Sequence, residues 1–250
     1  MNKLELSTQA ASLRKKFGIE QNGPIDILSV IQSIKDLTLV FYPMGERLSG
    51  LCIHNTDYPI IAINSSMSIG RQRFSMAHEL YHLYFDKNNN IPTCSKSIGA
   101  GSSIEEKADS FASYLLIPPI SLSEKIKDMT INNSTKIKLN DIIFLEQYYK
   151  VSRQAMLHRL REENLITYEE SEKYKTNVIQ SAIILGYDDS LYRATPSDKQ
   201  YGTYGYYINK ANELLNNEII SDGKYEELLL TAFRSDLVFG EEFSEEELYD

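Results

Sequence analysis

The sequence predicts an α+β fold in which a small, mainly antiparallel sheet lies beside helices and is followed by a mostly helical extension. Three segments rich in β-branched and aromatic residues follow one another between residues 37 and 64, which is the pattern of consecutive strands. From residue 68 to about residue 163 the apolar residues recur instead at helical spacing, with proline and glycine between the runs. Strands grouped in one part of the chain and helices in the next are typical of α+β proteins.

The first elements are two predicted helices and three predicted strands. Apolar residues at helical spacing predict a helix over 7–17, which Gly18 ends, and a second over 25–34. The strand segments are 37–42, 48–54 and 59–64. Because the residues between them have turn composition, Met44-Gly45 and Asn55-Thr56-Asp57, we expect the three strands to form an antiparallel meander.

Later elements are helical. Helical periodicity predicts helices over 68–85, 104–117, 138–149 and 153–163. The composition changes after about residue 167, so we predict a main domain over residues 1–168 and a C-terminal accessory region over 169–250. Within that region a tyrosine- and glycine-rich segment, 201–207, precedes a helix over 224–235, and six acids among the last ten residues predict a solvated tail.

Composition limits the classes of function. Hydrophobic residues make up 42% and charged residues 24% of the 250-residue chain, which suffices for an ordinary core. The formal net charge of -9 argues against broad contact with nucleic-acid phosphates, which requires a basic surface. Two cysteines, Cys52 and Cys94, are too few for a disulfide framework. Since the sequence has neither a leader segment nor an apolar run of about 18 residues, we expect a cytoplasmic protein without a membrane partner.

The strongest functional signal is His78-Glu79-Leu80-Tyr81-His82, in the helix predicted over 68–85. Side chains four residues apart lie on one face of a helix, so both imidazoles can reach one metal ion. Zinc binds such nitrogens at about 2.0–2.1 Å and, in catalytic sites, keeps one position for water. The Glu79 carboxylate, beside the metal rather than on it, can then take a proton from metal-bound water as general base.

The third metal ligand is predicted on the next helix. A histidine six residues after His82 would mark the metzincin pattern, but that position is Asn88. We favour Glu105, with Glu106 and His54 as alternatives.

A second carboxylate on this helix has a supporting role. Asp109, four residues after Glu105, can accept a hydrogen bond from a ligand histidine and orient its ring. The small residues Ala108 and Ala112 allow the two helices to approach closely.

The two helical motifs together resemble those of one family. They run Arg73-Phe-Ser-Met-Ala-His78-Glu79-Leu80-x-His82 and Glu105-x-x-Ala108-Asp109-x-Phe111-Ala112-x-x-Leu115-Leu116-x-Pro118. Both resemble the ImmA/IrrE family of bacterial and phage metallopeptidases. The segment 149–160 is similar to the helical segment that follows the site in that family, and the resemblance covers about residues 5–165.

The resemblance implies a zincin-like core with zinc bound at His78, His82 and Glu105, a gluzincin-like ligand set, and with Glu79 as base. It also implies an endopeptidase that cleaves a protein partner, since family members often lie beside a helix-turn-helix repressor and inactivate it by cleavage. A mobile element or a toxin–antitoxin-like pair is the genetic setting that this implies. Many members carry a histidine where this chain has Asp86, a position to which the sequence assigns no role.

Two other classes of function stay open on the sequence. In the first, a recognition helix that starts after Ser152 contacts DNA through Arg153 and Arg159. In the second, the protein is a catalytically silent, zinc-stabilised module that binds a repressor or an antitoxin without cutting it.

Two hypotheses concern the substrate in the catalytic reading. His158 is a weak candidate for stabilising the oxyanion, and the strand predicted over 48–54 is a candidate to pair with an extended substrate.

Overall fold

The computed structural model describes residues 3–45, 48–86, 93–95, 98, 102–130 and 136–240, so the acidic tail 241–250 lies outside the described residues. The strands are β1 (Thr38–Tyr42), β2 (Leu48–Ile53), β3 (Ile60–Asn64), β4 (Thr93–Ser95) and β5 (Gly202–Gly205). The α-helices are α1 (Lys3–Lys16), α2 (Ile27–Gln32), α3 (Ile69–Phe85), α4 (Ser103–Leu116), α5 (Pro119–Thr130), α6 (Leu139–Tyr149), α7 (Arg153–Glu162), α8 (Tyr168–Lys173), α9 (Val178–Ile184), α10 (Tyr206–Asn216), α11 (Asp222–Thr231) and α12 (Ser235–Phe239). The predicted α+β class is confirmed.

The strands form one sheet in the order β4-β2-β3-β1-β5. β2 pairs antiparallel with β3 and β4, and β5 pairs antiparallel with β1. β1 and β3 are parallel neighbours, with Phe41 opposite Ile63. The sheet is therefore mainly antiparallel, as predicted, but the predicted meander is wrong because β2 lies on the far side of β3 from β1.

The side chain of Asn64 holds the connection between β1 and β2 in place. Its amide nitrogen donates to the carbonyls of Met44, Gly45 and Leu48 at 3.1, 3.3 and 2.6 Å, and its oxygen accepts from the Met44 nitrogen at 3.1 Å. Met44-Gly45 therefore belongs to a connection that is held against the end of β3, and not to a two-residue hairpin turn.

The helices α3 and α4 pack against each other, and α3 also packs on β2 and β3. Ala108 and Ala112 of α4 are fully buried. A sheet on one side and α4 on the other cover α3 almost completely along residues 70–82. Polar side chains on this part of α3 are therefore held in a low-dielectric interior.

A buried arginine attaches α1 to the end of α4. The guanidinium of Arg14 donates to the Leu115 carbonyl at 2.9 and 2.7 Å and to the Gly23 carbonyl at 2.9 Å. It thereby satisfies the Leu115 carbonyl in the last turn of α4, where a cation also interacts favourably with the helix dipole. Burial lowers the pKa of Arg14 to about 10, against the charge of Glu20, so the group stays protonated at neutral pH.

The chain beyond residue 168 contributes to the same sheet. The tyrosine- and glycine-rich segment forms β5, with Tyr204 opposite Leu39. Gly205 has φ +83°, and a Cβ there would lie 2.4 Å from the Leu37 carbonyl oxygen, so glycine is required at this turn into α10. Next to β5, α10 and α11 enclose a small separate core around Ile208 and Leu229. The domain boundary near residue 168 stays a prediction.

Within the described ranges, no helix is both long enough and apolar enough to cross a membrane.

Candidate metal centre

The α3 helix holds His78 and His82 one turn apart on its buried face. The side chain of His78 is 6% exposed and that of His82 is fully buried. Their Nε2 atoms face each other at 3.2 Å. The spacing of four residues thus brings the same ring nitrogen of both imidazoles to one point, as the sequence predicts.

Glu105 approaches the two histidines from the first turn of α4. Its Oε2 lies 3.3 Å from His78 Nε2, and its Oε1 lies 3.4 Å from His82 Nε2. The neighbouring Glu106 is exposed and stands outside this cluster. Within the part of the chain that the structure describes, His78, His82 and Glu105 are the one group of at least three such side chains whose ligand atoms all lie within 4.8 Å of one another. His54 is not part of it.

A carboxylate supports each histidine from behind. His78 Nδ1 lies 2.8 Å from Asp109 Oδ1, and His82 Nδ1 lies 3.0 Å from Asp86 Oδ2. Such bonds place the proton on Nδ1, leave Nε2 as a lone-pair donor, and fix the rotation of the ring. The structure therefore brings Asp109 to the place that the sequence predicts. It also gives Asp86 a position that sequence reasoning missed, although the spacing of four residues from His82 carries the signal.

The charges around the histidines favour a positive charge at their centre. Burial by itself lowers the pKa of His78, but hydrogen bonds with Asp109 and Glu105 and the charge of Glu79 outweigh it and raise the pKa to about 10. Burial likewise raises the pKa of Glu105, yet its bonds with both histidines bring that pKa down to about 2. In the absence of a cation, the site thus carries a proton on His78 between carboxylates.

Glu79 lies on the side of α3 that faces β2, and it is fully buried. A Cβ on Gly50 of β2 would lie 2.7 Å from Glu79 Oε1 and 3.0 Å from the Ala62 carbonyl oxygen. The absence of a side chain at residue 50 therefore lets the carboxylate fit between helix and sheet. Sequence reasoning missed Gly50, because no local pattern distinguishes it from another strand glycine.

The other sequence-predicted residues lie elsewhere. β2 has a neighbouring strand on both sides, so its residues 48–51 are not an open edge for an extended substrate. His158 lies on α7, with Nε2 3.5 Å from Glu162 Oε1, and it lines a separate cavity.

The arginines of the DNA-binding hypothesis are buried. The predicted cap is present, because Ser152 accepts from the Ala155 nitrogen at 3.3 Å at the start of α7. Arg153, however, is 3% exposed and forms an ion pair with the fully buried Glu146. Arg159 is fully buried, and its guanidinium lies 4.3 Å from the centre of the Tyr114 ring. Neither arginine can reach a DNA backbone, so the prediction that they contact DNA is wrong.

Comparison with known proteins places this arrangement in a family. A peptidase family model, described as the IrrE N-terminal-like domain, matches residues 35–161, which include both site-bearing helices. The chain belongs to the ImmA/IrrE metallopeptidase family. It is also similar to the radiation response metalloprotease IrrE of Deinococcus deserti, with 37% identity over 57 residues. That match covers 23% of this chain and 19% of the relative, so it extends over only a small part of either protein.

Proposed function

We propose that the protein is a zinc-dependent endopeptidase in which His78, His82 and Glu105 bind the metal and Glu79 is the general base. The observation that carries the proposal is the convergence of two Nε2 atoms and one carboxylate, with separations of 3.2, 3.3 and 3.4 Å. Asp109 and Asp86 hold the two rings so that this convergence is preorganised.

The separations fit a small tetrahedral ion. Zinc bonds of about 2.0–2.1 Å at tetrahedral angles place neighbouring ligand atoms about 3.3 Å apart. Calcium prefers 6–8 oxygen ligands at about 2.3–2.6 Å, which suits neither the imidazoles nor the spacing. Three protein ligands also leave the fourth position that a catalytic zinc site requires. The residues present therefore fit zinc.

Glu79 and its surroundings supply the proton transfers. Bound zinc polarises a peptide carbonyl and lowers the pKa of water. Glu79 follows His78 directly in the chain and takes a proton from the attacking water, then delivers it to the leaving amine. Because Gly50 and β2 cover the carboxylate, its position is fixed before the substrate arrives.

The substrate that we propose is a transcriptional regulator of the helix-turn-helix class or an antitoxin-like regulator. The support is family membership together with the relative from Deinococcus deserti, which is named as a metalloprotease of the radiation response. The burial of Arg153 and Arg159 favours action on a DNA-binding partner rather than direct contact with DNA.

Metal content tests the site. Protein purified without chelator is expected to contain about one zinc per chain by elemental analysis. Glu105→Ala should lose most of it, whereas Glu106→Ala, its exposed neighbour, should keep it. A wild-type protein that stays metal-free after reloading with zinc would contradict the proposal.

Cleavage tests the reaction. Regulators encoded beside the gene are co-expressed with the wild type and with Glu79→Gln, and their products are identified by mass spectrometry. Glu79→Gln should keep its zinc and lose cleavage. A partner that binds both proteins and stays intact with both would show a silent binding module instead.

A further inference from the structure

A cavity of about 810 Å³ lies between the start of α3, the α7 helix and the segment from α8 to α9. Ser68 and Arg71 contribute from the α3 side, and residues 175–180 contribute from the accessory region. The cavity is therefore built jointly by the residues that the family model matches and by residues beyond them. Its size is typical of ligand sites.

The described lining of this cavity is strongly cationic. It contains Arg71, Arg153, Arg161 and Lys175, together with His158, and no carboxylate. The chain as a whole has more acidic than basic residues, with a formal net charge of -9. A lining of average composition would therefore include acidic residues. Three amide side chains add neutral hydrogen-bonding groups to the wall: Gln154, Asn177 and Gln180. The wall is suited to a ligand that carries negative charge.

Two of the cations are already engaged within the wall. Arg153 forms its ion pair with buried Glu146 and also donates to the Tyr174 carbonyl at 2.8 Å. Arg71 is buried and interacts electrostatically with Asp109. These two side chains shape the wall more than they attract a ligand.

The other two cations are less engaged. Arg161 is half-buried, and its guanidinium lies 5.6 Å from the centre of the Tyr168 ring. Its Nε is shielded from solvent and has no hydrogen-bond acceptor among the residues that the structure describes. The side chain of Lys175 is 45% exposed and pairs with Glu172, which is itself 40% exposed and does not line the cavity. Because exposed ion pairs are weak, an incoming carboxylate can replace Glu172 at Lys175.

The cavity lies close to the candidate metal centre. Arg71 precedes His78 by seven residues on α3, which is about 10 Å along a helix axis. Arg71 and His78 are also linked through Asp109, which interacts with the first and hydrogen-bonds to the second. An extended peptide covers about 10 Å with three residues. A side chain about three residues from a peptide bond held at the metal therefore matches the axial distance between His78 and Arg71, which lines this cavity.

We propose that this cavity is a specificity subsite for an acidic side chain of the substrate protein, about three residues from the scissile bond, and that Arg161 and Lys175 recognise it. The proposal rests on the proposed peptidase function. It gives residues 175–192 of the accessory region a role, because they complete the subsite. Phosphate groups of nucleic acid share the charge, but the formal net charge of -9 disfavours broad contact with a phosphate backbone.

Cleavage-site profiling of a peptide library tests the subsite. The zinc-loaded full-length wild type is compared with Arg161→Gln/Lys175→Gln and with Lys210→Gln/Lys224→Gln, a control that removes two exposed lysines from α10 and α11. The wild type and the control should prefer Asp or Glu about three residues from the cut, and Arg161→Gln/Lys175→Gln should lose that preference. Cleavage by the wild type without preference for an acid at that distance would overturn the inference and leave the peptidase intact.

If no peptide is cut, that result counts against the proposed peptidase function and not against the subsite. A binding measurement then tests the subsite by itself. Fluorescein-labelled hexaglutamate and hexaglutamine are titrated with Glu79→Gln and followed by anisotropy. Hexaglutamate should bind about tenfold more tightly in low salt, as expected for one or two charge-assisted hydrogen bonds, and Arg161→Gln/Lys175→Gln should abolish the difference. Equal binding of both peptides, or binding of an oligothymidylate in preference to hexaglutamate, would overturn the inference.

Discussion

Replacement of Gly50 by alanine is expected to separate the metal site from the reaction. The new Cβ would lie 2.7 Å from Glu79 Oε1, whereas ordinary contacts begin at 3.4 Å. The carboxylate, which is fully buried between α3 and β2, must therefore retreat by about 0.7 Å, from 3.4 minus 2.7. The second close atom, the Ala62 carbonyl oxygen at 3.0 Å, belongs to the backbone of β3 and cannot easily yield.

The expected consequence is a loss of turnover without a loss of metal. A displacement of this size at a catalytic group costs on the order of tenfold to a hundredfold in rate. Overpacking is also expected to lower the free energy of unfolding by about 1–3 kcal/mol. His78, His82 and Glu105 are not among the three nearest contacts of the new methyl group, so zinc content should match that of the wild type.

The assay compares kcat, zinc content and thermal midpoint for Gly50→Ala and for Gly223→Ala. Gly223 lies in α11, and a Cβ there would meet nothing within 4 Å, so this control should keep full activity. Wild-type turnover in a folded, zinc-loaded Gly50→Ala protein would refute the idea that Gly50 positions Glu79.

Four further predictions concern the site and the core around it. Asp86→Asn and Asp109→Asn should each weaken zinc binding by about tenfold to a hundredfold, as measured by competition with a chromophoric chelator; unchanged affinity would show that neither carboxylate orients its histidine. Because the pKa of His78 is about 10 in the metal-free fold, zinc binding at pH 7 should release about one proton, which calorimetry in buffers of different ionisation enthalpy measures. That pKa lies above the ordinary 6.5, so protonated His78 should stabilise the metal-free fold fully below pH 6.5 and progressively less as the pH rises toward 10. Denaturant titrations in which the free energy of unfolding follows the opposite trend would contradict this prediction. Burial and the charges of Glu79 and Asp86 raise the pKa of the Cys52 thiol, so Cys52 should react with iodoacetamide only after unfolding, and peptide mapping that finds it modified in the native protein would contradict this.

Features that depend on local spacing could be predicted from the sequence. His78 and His82 meet because four residues make about one helical turn, and that relation holds wherever the helix lies. The choice of Glu105 over Glu106 also rested on helical geometry, and the structure turns Glu105 inward while Glu106 stays exposed. Asp86 had the same spacing from His82 and could have been chosen on the same ground.

Features that depend on the meeting of distant segments could not be predicted. The turn composition of Met44-Gly45 did not show that Asn64 hydrogen-bonds this segment, or that β2 lies on the far side of β3 from β1. Arg159 was a candidate for contact with DNA, yet it is buried over the Tyr114 ring. Arg14 is likewise buried and donates to the Leu115 carbonyl of another helix. A residue's type does not reveal whether a partner from elsewhere will compensate its burial.

The sequence by itself determined the groups at the centre: two imidazoles and the proposed general base on one helix, and a carboxylate on the next. Only the tertiary structure decided what surrounds that chemistry. It set Gly50 against Glu79, Asp86 behind His82, and the cations of α7 and the accessory region around one cavity. The physical reason is that a helix fixes the relation of residues three or four apart through its own hydrogen bonds. Contacts between segments arise only when the whole chain has found one packing that satisfies its apolar and polar groups together.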